Sequence, residues 1–184
     1  MKRVAVALCV ALWCGVGGQV LAQEPPAAEE AAPSLDRFAG EYGYVGGQGQ
    51  IDKMQAAVEA VVEEANFVVR GFARDKLLEL CAPYKGLSVT VQGEQITMKT
   101  ERYGPWTTKA DGQGLKAKNS QGEDVTVTRK WQKEKLVEVV RGEGGSFTRV
   151  FQLSPDGKRL TMSVTVTSTK LDKPVKYAMT YGRK

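Results

Sequence analysis

The sequence contains no histidine. That absence excludes imidazole acid–base chemistry, serine triads built on histidine, and His-ligated metal sites. Cysteine is scarce, with three residues at Cys9, Cys14 and Cys81. The apolar run Val4 to Trp13 is about ten residues, too short to span a hydrocarbon core of roughly 30 Å. The glycines of Gly46-Gly47-Gln48-Gly49 are not followed by the Lys-Ser/Thr of a phosphate loop, nor preceded by an apolar strand of the parallel type. Carboxylates such as Glu101 and Glu138 are present, but no spacing singles out an acid–base pair. The expectation is a protein that is not an enzyme, with no catalytic residue, no metal and no cofactor.

What stands at the N-terminus is a basic pair, Lys2-Arg3, then the short apolar run, then small residues ending in Val20-Leu21-Ala22. This is the pattern of a secretory signal peptide over 1–22, cleaved after Ala22, in bacterial style. Trp13 before Cys14 departs from a lipidation box. The expected location is exported, periplasmic or secreted, with no integral membrane segment after cleavage. Cleavage would leave Cys81 alone, so no internal disulfide is possible. Among Leu77, Leu78 and Leu80 it reads as a small buried hydrophobe. Lys2 and Arg3 are two of the 26 basic residues and all 21 acids follow Ala22, so the formal charge falls from +5 to +3. Those charges are interspersed, which argues against a nucleic-acid partner. Residues 23–34, QEPPAAEEAAPS, are rich in Ala, Pro and Glu without apolar periodicity, and read as a disordered leader.

From residue 35 to 184 the periodicities are clear. Leu35 to Val45 reads as a first strand carrying Phe38, Tyr42 and Tyr44, and Gly46 to Gly49 as a flexible break. Gln50 to Val69 has a helical period, with Ile51, Met54, Val58, Val61 and Val62 on one face. Asn66 to Gly71 breaks or bends it, and Arg74 to Cys81 forms a second short helix ended by Pro83. The acidic polar face of the first helix argues against an anionic membrane surface. The pair, residues 50–82, reads as a cap. Beyond it the expected strands are Leu87–Gln92, Gln95–Glu101, Trp106–Ala110, Leu115–Asn119, Asp124–Trp131, Lys135–Arg141, Ser146–Leu153, Lys158–Thr169 and Val175–Gly182. In one of them Leu160, Met162, Val164 and Val166 alternate with Thr161, Ser163, Thr165 and Thr167. Short turns such as Gly93-Glu94, Asp111-Gly112-Gln113-Gly114 and Ser154-Pro155-Asp156-Gly157 allow only antiparallel neighbours. The fold class is therefore mainly β, an antiparallel up-and-down barrel of about 8–10 strands capped by a helix–turn–helix after the first strand.

One strand, a helix pair and about nine hairpin-linked strands resemble the calycin superfamily, which includes lipocalins and fatty-acid-binding proteins. The resemblance covers residues 35–184 and implies a barrel that holds an apolar small molecule. The lipocalin Gly-x-Trp opening is replaced by Gly40-Glu41-Tyr42. The C-terminal Arg-x-Tyr of many fatty-acid-binding proteins has no counterpart, Lys176-Tyr177 and Tyr181-Gly182-Arg183 forming a different pattern. The family's ligand residues therefore do not carry over, and the candidates come from strand alternation. Arg149 shares a face with Phe147 and Phe151, and Arg129 with Val125, Val127 and Trp131. If those faces point inward, two guanidinium groups enter the barrel. Their partner is either internal (Glu138, Glu101 or Tyr177) or the acidic end of a ligand held bidentately. The candidate ligand-binding set is Arg129, Arg149, Trp131, Phe147, Phe151 and Tyr177, with Trp106 as a further inward aromatic. The leading expectation is an exported binding protein for a small apolar or amphipathic acid. The alternative is a structural or protein-interaction barrel with a filled core.

Overall fold

The computed structural model describes residues 34–65 and 67–184. The expected signal peptide, 1–22, and all but the last residue of the expected leader, 23–34, lie outside the described residues. The strands are β1 (Gly40–Tyr44), β2 (Gly86–Gln92), β3 (Gln95–Thr100), β4 (Trp106–Lys109), β5 (Asp111–Lys118), β6 (Asp124–Gln132), β7 (Lys135–Gly142), β8 (Gly145–Leu153), β9 (Arg159–Ser168) and β10 (Val175–Arg183). Helices α1 (Gly47–Val62) and α2 (Phe67–Cys81) fall between β1 and β2. All ten strands join one antiparallel sheet, in the order β4-β3-β2-β1-β10-β9-β8-β7-β6-β5. This is the expected up-and-down, nearly closed barrel with a helical cap. The two ends of the order, β4 and β5, do not pair with each other.

Alternation of side chains decides which faces point inward. In β9, Leu160, Met162, Val164 and Val166 are all buried, while Thr161, Ser163 and Thr167 are exposed. In α1 the buried residues are Met54, Val58 and Val62, at the spacing of a helix laid on a core. Gln50 ties the start of α1 to β10, donating to Thr180 Oγ1 at 2.9 Å and accepting from Thr180 N at 2.8 Å. An ion pair between Lys173 and Glu64, at 2.8 Å, sits at the far end. No described helix is long and apolar enough to cross a membrane.

Four local expectations are corrected. Leu35–Phe38 is a 3-10 turn, not strand; Phe38 is 2% exposed and folds into the barrel end, so the strand begins only at Gly40. Gly47 and Gly49 belong to α1, because the Gln50 anchor and the Tyr44 hydroxyl on Gly47 O hold its first turn. The first helix ends at Val62, where Ala65 N bonds back to Val62 O. The second starts at Phe67 rather than Arg74, and Arg70 donates to Glu63 O and Ala65 O across the junction. Asp111 to Gly114 is not a turn but the irregular start of β5, where the register shifts between Asp111 and Gly114. A bulge takes the same residues as a turn, because its glycine must reach positive φ, here 91° at Gly112.

The β6–β7 hairpin carries a visible defect. Its two turn residues, Lys133 and Glu134, have φ of 48° and 63° without being glycine or asparagine. Left-handed backbone costs an ordinary residue about 1–2 kcal/mol. Replacing the pair with Asn-Gly should therefore stabilise the barrel by about 1 kcal/mol or more, measured as a higher urea midpoint at unchanged slope.

Candidate functional site

Strand pairing places five inward residues in one row. Arg129 lies opposite Glu138, Glu138 opposite Arg149, Arg149 opposite Val164, and Val164 opposite Tyr177. Both arginines therefore point into the barrel, and Glu138 stands between them. Arg129 Nε donates to Glu138 Oε2 at 2.8 Å, and its Nη2 lies 2.7 Å from the same oxygen. That second approach is too bent for a hydrogen bond and acts as a Coulombic contact. Arg149 Nη1 donates to Glu138 Oε1 at 2.9 Å. Of the internal partners open to the arginines, Glu138 is the one used. Glu101 lies at the surface and accepts a bond from Lys85 N instead.

The two guanidinium groups are engaged to different extents. Arg129 and Glu138 side chains are 0% exposed. Arg129 also reaches across the open seam: its Nη1 donates to Ile96 O, Trp106 O and Thr108 Oγ1 at 3.0, 2.9 and 3.2 Å. It thus fastens β6 to β3 and β4, strands that the backbone ladder leaves unjoined to it. Arg149 has one hydrogen bond among the described residues, to Glu138, and its side chain is 8% exposed. Aromatic rings surround its free side, with Tyr103, Phe147 and Tyr84 centroids 5.1, 5.2 and 5.8 Å from Cζ. Cation–π contacts of this kind contribute about 0.5–2 kcal/mol each, more as water is excluded.

One carboxylate between two guanidiniums leaves an excess positive charge. The other titratable groups around Arg149 do not cancel it at neutral pH. Burial raises the Tyr177 hydroxyl, and burial followed by the Glu138 charge holds Tyr103 well above its ordinary value. Burial also pushes the Cys81 thiol up to about 11. Desolvation opposes the charge on Arg149; the charges that Tyr84 and Tyr103 carry once ionised in alkali, and the Glu138 carboxylate, favour it, and the net shift is upward. The interior therefore holds the neutral phenols of Tyr103 and Tyr177, a neutral thiol and a net cation.

The candidate residues divide about this row. Phe147 and Tyr177 are half-buried beside Arg149. Phe151 is 0% exposed on the other side, in the row Trp131, Leu136, Phe151, Met162, Met179. Trp131 packs edge-on to Phe38 at the closed end, 5.4 Å between centroids. Trp106 is inward and stacks on Tyr103 at 4.8 Å. Tyr103 and Tyr84 escaped the sequence reading because both sit in connections without periodicity. Gly104 places Tyr103: its φ is 88° and a Cβ there would lie 2.5 Å from Met98 O. Arg102 then caps α2, with Nη1 donating to Glu79 O at 2.7 Å and Nη2 donating to Ala82 O. Beside this connection lies an open groove of about 400 Å³, lined by Lys99, Arg102, Tyr103, Lys118 and Ser120 among others.

No family model matches the chain, and no curated protein matches it in sequence. Solved structures do match in fold. Lipid binding protein 8 of Caenorhabditis elegans, in its apo form, superposes with a TM-score of 0.52 at 10% identity, over 84% of this chain and 100% of that one. A point mutant of the fluorescent protein UnaG gives 0.51 at 19% identity, over 82% and 99%. A Schistosoma mansoni fatty acid binding protein in complex with arachidonic acid gives 0.49 at 18%, over 82% and 98%. The chain shares the barrel architecture of lipid binding protein 8 and of UnaG.

Two outcomes follow from the charged row and its surroundings. Glu138→Gln removes the only carboxylate between two buried guanidiniums and should cost about 3–5 kcal/mol in chemical denaturation, whereas the triple change Arg129→Met, Glu138→Leu, Arg149→Met should recover most of that loss. Stability should also fall in alkali. The folded Cys81 thiol lies near 11 against an ordinary value of 9.0, so its contribution is whole below pH 9 and is lost as pH rises to about 11. That loss amounts to about 2–3 kcal/mol. Cys81→Ala should delay the decline to the range above pH 10 where the buried tyrosines dominate, as read by thermal melts across pH.

Proposed function

We propose that this chain is an exported binding protein that holds a small apolar or amphipathic acid inside its barrel. The observation that carries this reading is the imbalance at the row: two buried guanidiniums share one carboxylate, and Arg149 keeps donors free on a side lined by half-buried aromatics. A carboxylate seated there would neutralise the excess charge through a charge-assisted hydrogen bond. Its apolar part would lie against Phe147, Tyr177 and Tyr103. Arg129 acts indirectly, by holding Glu138 and the seam, and Phe151 and Trp131 support the row from below. A shared fold with a lipid-binding protein is consistent with this use, and the chemistry of the interior is the argument for it. Export rests on the pattern of residues 1–22.

A filled, ligand-free barrel is the rival reading, and the fully buried residues beneath the row favour it for that half of the interior. Binding separates the two. Titration of the mature protein with a fluorescent amphipathic acid should give saturable binding that Arg149→Leu weakens at least tenfold, while Phe72→Ser, on the exposed side of α2, leaves it unchanged. Unaltered affinity in Arg149→Leu would remove the clamp. Native mass spectrometry showing no co-purified or added acid would leave the filled barrel.

A further inference from the structure

The charged row does more than offer a cation: it divides the barrel interior across its length. On the far side of it Leu136, Phe151 and Met179 are 0% exposed and Met162 is 3%. One layer further, Leu160 and Tyr181 are 0%, and Tyr42 and Ile96 on the opposite wall are 0% as well. Trp131, in the row of Leu136 and Phe151, is half-buried, and the rest of that half is packed core. On the near side the neighbouring row is Val127, Val140, Phe147, Val166 and Val175; Val127, Val166 and Val175 are buried there too, while Val140 and Phe147 keep exposure, as does Tyr103. Val166, Val175 and Phe147 on the near side pack with the main core, and only the β4–β6 wall stands apart. Trp106, Val125 and Val127 form a small cluster with Tyr103, Leu115, Ala117 and Val140, separate from the main core.

Resting on the reading that Arg149 receives an acid, we infer that the row is the floor of the ligand space, and that the ligand class is short-chain or compact amphipathic acids rather than long-chain ones. The acid group points down to Arg149 and the apolar body runs toward the β7–β8 turn. From Arg149 to Gly145 is four residues, roughly 13 Å at about 3.3 Å per residue, the reach of an extended chain of about eight to ten carbons. Deeper entry would require breaking the Arg129–Glu138 pair and displacing Phe151 and Leu136 from a packed core. A longer chain would instead leave its tail in water at the barrel mouth.

A chain-length series distinguishes this from an ordinary deep barrel. Each methylene buried strengthens binding about fourfold, so a deep cavity rewards length without interruption up to long chains. Submicellar titrations of the mature protein with hexanoate, octanoate, decanoate, dodecanoate and hexadecanoate should show affinity rising to eight or ten carbons and then levelling. Phe147→Trp, which narrows the near side, should move that plateau to shorter acids. Continued tightening through hexadecanoate would overturn the length limit while leaving acid binding intact. Failure of every acid to bind, with Arg149→Gln indistinguishable from the wild type, would overturn the acid-binding reading and this inference with it.

Discussion

The carboxylate of Glu138, held between Arg129 and Arg149, is the interaction on which the interior depends. Its two oxygens are divided, Oε2 to one arginine and Oε1 to the other. Each guanidinium, taken out of water alone, would carry a desolvation cost of several kcal/mol. The arrangement offsets part of that cost by geometry, and the rest through neighbours: backbone carbonyls for Arg129, aromatic faces for Arg149. The division of labour is also mechanical. Arg129 closes a seam that strand pairing leaves open between β4 and β5, so the charge pair and the barrel's closure are one structure.

Most of the frame was legible in the sequence, and the reason is periodicity. Alternation in β8 placed Arg149 between Phe147 and Phe151, and alternation in β6 placed Arg129 two residues from Val127 and Trp131. Both are therefore readable as inward from the sequence alone. Glu138 was readable only as one of several partners, because register between strands is set by hairpin geometry and not by composition. Tyr103 and Tyr84 were not legible. They reach the Arg149 guanidinium from irregular connections, and Gly104 and the Arg102 cap that fix them leave no periodic trace. The Asp111 to Gly114 segment shows the opposite failure: a bulge and a turn demand the same residues, so composition could not separate them. The junction between the helices was missed for a related reason, since Gly71 weakens a helix without forbidding it.

The position of the cap follows from the same chemistry. Arg102 leaves the β3–β4 connection to satisfy the last carbonyls of α2 and lies 4.4 Å from the Tyr84 ring. Tyr84 in turn meets Tyr103 edge-on at 5.4 Å, and Tyr103 stands over Arg149. A chain of contacts thus links the end of the second helix to the charged row. Anything that repositions Tyr103 acts on both, because the ring is shared between the helix anchor and the wall of the Arg149 site.

The charged row is a costly way to fill a core. Apolar residues of similar volume commonly serve stability as well or better than a buried ion triad, and β9 shows this chain can build such a wall from Leu160 to Val166. If closure of the seam were the only requirement, one arginine on one carboxylate would meet it, since Arg129 bonds to β3 and β4 across the gap and Arg149 makes no bond there. Arg149 adds a second cation that the seam does not use. The rings around it lower the cost of keeping that charge without cancelling it, as a quadrupole attracts a cation but carries no net charge. An anion is the species that would complete the balance. The half-buried surface beside Arg149, rather than the packed core beneath it, is where one would arrive.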